Sequence, residues 1–272
     1  MSRQQRVVLI LAGMGATAGV LGGLLGIGGG VLIVPGLVFF LNLDQHRAHG
    51  TSLVSALLLA TSGILTYSFE GVVDWRVYWP VAMEITVGGV VGAMIGARVA
   101  KAIDAKALRR VFSLFIVFIG IRMIWEAWHG GVQAQHLAFM DNAVVGAAAI
   151  VGLGLLAGFL SALLGIGGGL IMVPALVILL CAKQQLAQAM SLAAMIPTAF
   201  TGMLMHRAMG NVDLRAGLCV GAGAVVGAVA GARLAANMPS GTLQLVFGVF
   251  LFAMAGLMAV KSNGRNRSEE WN

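Results

Sequence analysis

The chain has 272 residues, of which 59% are hydrophobic and only 10% charged, and it carries a formal net charge of +7. Soluble domains carry about 25% charged residues, so this composition excludes an ordinary water-facing surface. The apolar runs are continuous rather than alternating. They predict an all-α, multi-pass helical bundle and exclude a β-barrel.

From the N-terminus, "MSRQQRVVLILAGMGATAG" has the basic start and apolar run of a signal peptide. It is read as structure instead, because Leu9–Gly23 precedes a glycine cluster just as Ala148–Ala162 precedes a second one. The clusters are "LLGIGGGVLIVP" (Leu24–Pro35) and "LLGIGGGLIMVP" (Leu163–Pro174), 139 positions apart. "EGVVDWR" at Glu70–Arg76 matches "MGNVDLR" at Met209–Arg215 at the same offset. "GGVVGAMIGARVA" at Gly88–Ala100 matches "GAVVGAVAGARLA" at Gly223–Ala235 at an offset of 135. The chain therefore divides into a first membrane repeat (1–128), a linker (129–142), a second repeat (143–261) and a polar cytoplasmic tail (262–272).

Apolar segments fall near 7–25, 29–41, 51–69, 77–97 and 110–128, then 143–163, 168–182, 190–206, 214–235 and 242–260. Segment 29–41 would reach about 20 Å as a helix, short of a hydrocarbon core of about 30 Å, so it is expected to be a half-helix or re-entrant arm. With the N-terminus in the cytoplasm and 7–41 entering and returning, 13 basic residues lie inside and three, Arg76, Lys183 and Arg233, lie outside. Five segments per half then give the repeats opposite orientation, with both termini cytoplasmic. The basic charge is thus an orientation signal rather than a nucleic-acid footprint. Cys181 and Cys219 read as small hydrophobes, without metal spacing or a disulfide framework.

Four glycines in five residues cannot hold a regular helix, since each costs about 1 kcal/mol relative to alanine. Unwound backbone at membrane depth is tolerated only inside protein or beside a wet cavity. A helix restarting after each cluster would point unpaired N–H groups back at it, a setting that favours anions. The expected site is thus Gly26, Gly28, Gly29 and Gly30 with Gly165, Gly167, Gly168 and Gly169. Hydroxyls at Thr51, Ser52 and Ser191 are candidate ligands. Pro35, Tyr67, Pro174, Thr201 and His206 are candidate supporting or gating residues, the prolines kinking or ending the restarted helices. Scattered glycines such as Gly88, Gly92 and Gly96 read as helix-packing residues.

Glu84 lies inside an apolar segment and is a candidate proton carrier, although the repeat places Cys219 opposite it. Arg122 and Glu126 are spaced for an i,i+4 pair, with Trp125 and Trp128 as interfacial anchors. Asp74 and Asp213 read as capping or orientation residues, and His46 and His49 as solvated loop residues.

The doubled "GIGGGxxxVP" at Gly26–Pro35 and Gly165–Pro174, with "AHGTSL" (Ala48–Leu53) and its weaker counterpart "AQAMSL" (Ala187–Leu192), resembles the TauE/SafE family of sulfite exporters. The resemblance spans nearly the whole chain. It implies an inner-membrane secondary transporter of small sulfur-containing anions such as sulfite or organosulfonates. Met190 departs from the pattern where the first half has Thr51. No cofactor and no nucleotide are expected, since "GIGGG" lacks the Lys-Ser/Thr of a P-loop. The driving energy is expected to come from an ion gradient, the anion's own electrochemical gradient or an external partner. The alternatives are a metal-cation carrier, a non-transporting membrane assembly protein, and an intramembrane enzyme using Ser161 and His206.

Overall fold

The computed structural model describes residues 3–99, 105–129, 143–164, 169–179 and 182–264. They form ten helices and, among the described residues, no strand. The first five are α1 (Arg3–Leu25), α2 (Gly30–Leu41), α3 (Gln45–Phe69), α4 (Trp75–Val99) and α5 (Ala105–Trp128). The second five are α6 (Ala143–Leu164), α7 (Gly169–Leu179), α8 (Gln184–Ala208), α9 (Leu214–Asn237) and α10 (Ser240–Gly264). Six of these are long and apolar enough to cross a membrane, whereas α2 and α7 have 12 and 11 residues. The protein is a multi-pass helical membrane protein. Much of the expected linker and the end of the tail lie outside the described residues.

Several helices begin earlier than the apolar runs predict. The Asp44 side chain accepts from the backbone N–H groups of His46 and Arg47, capping α3 before its first apolar residue. The polar stretch expected to be a loop is therefore the first turns of α3. His49 is half-buried there, its ring 5.6 Å from that of His206. Asp213 caps α9 by accepting from Ala216 N–H, and Asp74 accepts from Arg76 N–H at the start of α4. Pro35 and Pro174 do not end α2 and α7, which continue to Leu41 and Leu179. Near the start of a short helix, proline removes few backbone hydrogen bonds that would otherwise form.

The most extensive packing joins α1 with α9 and α4 with α6. Both pairs run parallel and use small residues at four-residue spacing. On α1, Gly15, Gly19 and Gly23 lie against Val220, Ala224 and Ala228; in return Gly223, Gly227 and Gly231 lie against Ala12, Ala16 and Val20. A β-carbon on Gly227 would come within 2.7 Å of Val20 N, so the backbones touch. In the second pair Gly88, Gly92 and Gly96 meet Val151, Leu155 and Phe159, while Gly154 and Gly158 meet Ile85 and Gly89. In lipid, helix association rests on such van der Waals closeness, because apolar side chains gain nothing by leaving acyl chains. The α3–α8 pair runs antiparallel between these two units, and the antiparallel α5–α10 pair packs on α8.

Thr51 and Ser55 tie α3 to α9. Asp213 N–H donates to Thr51 Oγ1 at 2.9 Å, and Ser55 Oγ donates to Gly217 O at 2.8 Å. Arg122 and Glu126 form the expected pair at 2.6 Å, and Arg233 approaches Glu70 at 3.4 Å.

The packing makes a signed prediction. Gly227→Ala forces α1 and α9 apart and lowers stability by about 1–3 kcal/mol, the usual range for overpacking. Gly13→Ala, on the exposed side of α1 with nothing within 4 Å, is neutral or stabilises by up to about 1 kcal/mol. Thermal unfolding of the two purified variants checks both signs.

Candidate functional site

Between α1 and α2 the chain turns through Gly26, Gly28 and Gly29 at φ of 70°, 69° and 69°. A left-handed backbone costs an L-residue roughly 1–2 kcal/mol, which explains glycine at these three positions. Gly30 is different: it opens α2 in helical conformation, and a β-carbon there would meet nothing within 4 Å. Ile27, between the turning glycines, is fully buried.

The turn leaves carbonyl groups without helical partners, and α3 and α8 supply them. Ser191 Oγ donates to Gly26 O at 2.9 Å. The Tyr67 hydroxyl lies 2.8 Å from Gly23 O and 2.9 Å from the side-chain amide of Gln188. A phenol has one hydrogen. That hydrogen is shared between Gly23 O and Gln188 Oε1, and among the described residues Gln188 Nε2 has no partner. Gln188 also packs on the turn itself, its Cα within 2.7 Å of where a Gly26 β-carbon would stand.

Gly169, the described residue of the second cluster, meets the first. Gly169, the first residue of α7, lies on Gly26 O and on Ile27 Cα, with no room for a β-carbon. Beside this contact is a cavity of about 60 Å³, lined by Gly89 and Ala93 of α4, Gly158 of α6, Gly169 and Met172 of α7, and Ser191, Ala194, Met195 and Thr198 of α8. A water molecule needs about 10–15 Å³ of such space, so the cavity has room for a small ion or a few waters. Its lining is uncharged. The first N–H groups of a helix have no intrahelical acceptor, and α7 begins at this wall. The Gly28 position touches the same wall, because a β-carbon there would collide with the sulfur of Met195.

Of the expected residues, Gly26, Gly28, Gly169 and Ser191 are thus gathered around one cavity, with Gly29 close behind on Leu59. Gly165, Gly167 and Gly168 lie outside the described residues. Thr51 and Ser52 sit at the opposite end of α3, where Thr51 holds α9 and Ser52 donates to His49 O. Thr201 is exposed and donates to Pro197 O. His206 packs on His49 near Thr51, away from the cavity. Glu84 is half-buried on α4 and has no ion-pair partner among the described residues. At the 139-residue offset Tyr67 corresponds to His206 and Gln188 to His49, so one pair of contacting positions between α3 and α8 is phenol–amide and the other imidazole–imidazole.

Met195, Gln188, Gln184 and Gln244 were not singled out by the sequence reading. The signal was present: three glutamines fall in otherwise apolar runs, and all three are buried. Both amide atoms of Gln184, one of Gln188 and the oxygen of Gln244 have no hydrogen-bond partner. Each such group costs about 1–3 kcal/mol if nothing joins it. Among the described residues no group of three or more His, Cys, Asp or Glu is placed to hold a metal ion.

Comparison with known proteins agrees with this architecture. No solved structure matches the chain. It is 30% identical over 260 residues to the probable membrane transporter protein YunE of Bacillus subtilis, covering 89% of this chain and 94% of that protein. It is 27% identical over 280 residues to a probable membrane transporter protein of Haemophilus influenzae, covering 93% and 98%. The family model "Sulfite exporter TauE/SafE" matches residues 1–123 and 150–272. A glycine motif doubled in sequence, with Gly169 of one copy seated on Gly26 of the other, is therefore carried here by a membrane transporter that belongs to the sulfite exporter TauE/SafE family.

Proposed function

We propose that the protein is a secondary transporter that exports small sulfur-containing anions, sulfite or organosulfonates, from the cytoplasm by alternating access. The observation that carries this reading is the contact of Gly169 with Gly26 and Ile27 at the wall of an uncharged cavity. Such a cavity can hold an anion without a permanent buried cation, provided that the N–H groups opening α7 and the hydroxyls of Ser191 and Thr198 turn to it. In the described arrangement both hydroxyls donate to backbone carbonyls, Ser191 to Gly26 O and Thr198 to Ala194 O and Met195 O. Binding would exchange those bonds for bonds to the anion.

The two halves, 1–128 and 143–261, are read as inverted repeats with both termini in the cytoplasm of the inner membrane. The parallel pairing of α1 with α9 and of α4 with α6 supports this, because each pair joins a helix of one half to a helix of the other. The swapped pairs form two units that rock about the antiparallel α3–α8 and α5–α10 contacts. The cavity, between α4–α6 and α7–α8, opens to one side and then the other. Glu84 on α4, half-buried and without an ion-pair partner among the described residues, is a proton-coupling candidate in this scheme.

Sulfite flux in proteoliposomes tests the reading through two glycines of one cluster. Gly28→Ala forces a left-handed alanine and pushes Met195 toward the cavity; it lowers stability by about 1–2 kcal/mol and reduces flux at least tenfold in the folded protein. Gly30→Ala, with open space and helical backbone, keeps wild-type flux. Equal flux in both variants, or no saturable flux of sulfite or any organosulfonate in the wild type, contradicts the proposal.

A further inference from the structure

The cavity is lined by α4 together with α6, α7 and α8, so its copy by repeat offset lies between α9 and the first three helices. There Leu59 stands at the position of Thr198, and Ile33 at that of Met172. Both Leu59 and Ile33 are fully buried. A β-carbon on Gly22 would come within 2.8 Å of Leu59 Cδ1, and one on Gly29 within 2.9 Å of Leu59 Cδ1 and 3.3 Å of Ile33 Cδ1. Leu59 therefore fills the first copy. In the second copy the shorter Thr198 turns its hydroxyl back onto its own helix and leaves the space open.

The seams beside the two copies differ in the same sense. On the filled side α9 is fastened to α3. Ser55 Oγ donates to Gly217 O at 2.8 Å, Asp213 N–H donates to Thr51 Oγ1 at 2.9 Å, and Arg233 lies 3.4 Å from Glu70. Glycines bring these helices close: a β-carbon on Gly217 would come within 2.9 Å of Val54 Cβ, and one on Gly221 would collide with Leu58. The α4–α8 seam on the open side has none of these devices. Ala194 replaces Ser55, Met190 replaces Thr51, and the counterparts of Glu70 and Arg233 are Met209 and Arg98, which cannot pair. At the two repeat offsets, 139 and 135, Gly217 matches Tyr78 or Ala82 and Gly221 matches Ala82 or Thr86. Thr86 of α4 and Thr198 and Thr201 of α8 bond within their own helices. The central α3–α8 seam is even by contrast, with Leu53 on Gly202 and its counterpart Leu192 on Gly63.

In lipid, a seam of close backbones and buried hydroxyl bonds resists opening, because separation leaves those groups without water. We propose that the repeats have unequal tasks. Helices α1, α9 and α3 form a fixed body whose copy of the site is plugged by Leu59, and α4–α6 is the unit that moves against α8 to open and close the one working cavity. Gly88, Gly92 and Gly96 hold α4 on α6, so the two helices move together. The proposal rests on the transporter reading above and says which of the swapped units carries the motion.

Matched cysteine pairs in the full-length chain, with Cys181 and Cys219 replaced by alanine, test it. Glu70→Cys with Arg233→Cys spans the α3–α9 seam, and Met209→Cys with Arg98→Cys spans the α8–α4 seam. All four positions are exposed and stand outside the cavity lining. Nitroxide labels on each pair report their separation in liposomes. One separation is expected at the first pair and two at the second, with proportions that shift as sulfite is added. Two separations at the first pair, or one at the second, overturn the proposal. Each pair is then bridged with a short, reducible bifunctional thiol reagent. Sulfite flux stays within twofold of the unbridged protein with the first bridge and falls at least tenfold with the second, recovering on reduction. Loss of flux through the first bridge as well overturns the proposal and leaves the anion reading standing. Equilibrium dialysis against radiolabelled sulfite finds one bound anion per chain, and two per chain overturns the plug. An unbridged protein that carries no small oxyanion removes the anion reading, whereas two separations at the second pair against one at the first still uphold the unequal motion.

Discussion

A backbone that leaves its helix inside a membrane must find partners for every carbonyl and N–H it exposes, because no water is there to serve. At the turn after α1 the partners come from other helices: Ser191 for Gly26, Tyr67 for Gly23. Both side chains stand on the central antiparallel pair, α3 and α8. The turn therefore cannot form without that pair, and the pair carries buried polar groups that would otherwise be unsatisfied. The cavity and the seat of Gly169 both follow from holding this one turn in place.

Glycine serves two separate ends in this chain. Along α1, α4, α6 and α9 it lets helices touch through their backbones, which is how a bundle gains cohesion in a solvent as apolar as its own side chains. At Gly26, Gly28 and Gly29 it supplies a conformation that other residues adopt only under strain. Gly30 and Gly169 complete the motif for different reasons, one beside open space and the other pressed on Ile27. A motif that looks uniform in sequence thus contains three roles, and only the spatial contacts separate them.

The helical bundle was legible because hydropathy is a property of the chain alone. The start of α3 was not, since Asp44 captures polar residues into a helix that hydropathy alone does not reveal. The hydroxyl ligands were half legible. Ser191 reaches the turn, whereas Ser52, its equivalent by offset, bonds within its own helix and Thr51 is taken up by α9. Sequence symmetry predicts equal halves, but packing treats them differently, as the exchange of Tyr67 and Gln188 for His206 and His49 illustrates. The buried glutamines Gln184, Gln188 and Gln244 were missed because sequence alone does not show which way a polar side chain faces in a helix.

The most direct test of the account is protection of the cavity by substrate. Thr198→Cys, in a chain whose Cys181 and Cys219 are replaced by alanine, places a thiol on the cavity wall. Its reaction with a membrane-impermeant thiol reagent is followed in liposomes as sulfite is increased. The account predicts a labelling rate that falls saturably with sulfite, over the same range in which flux saturates. A rate unaffected by sulfite at concentrations that saturate flux would place the anion elsewhere and contradict a site built where the two glycine clusters meet.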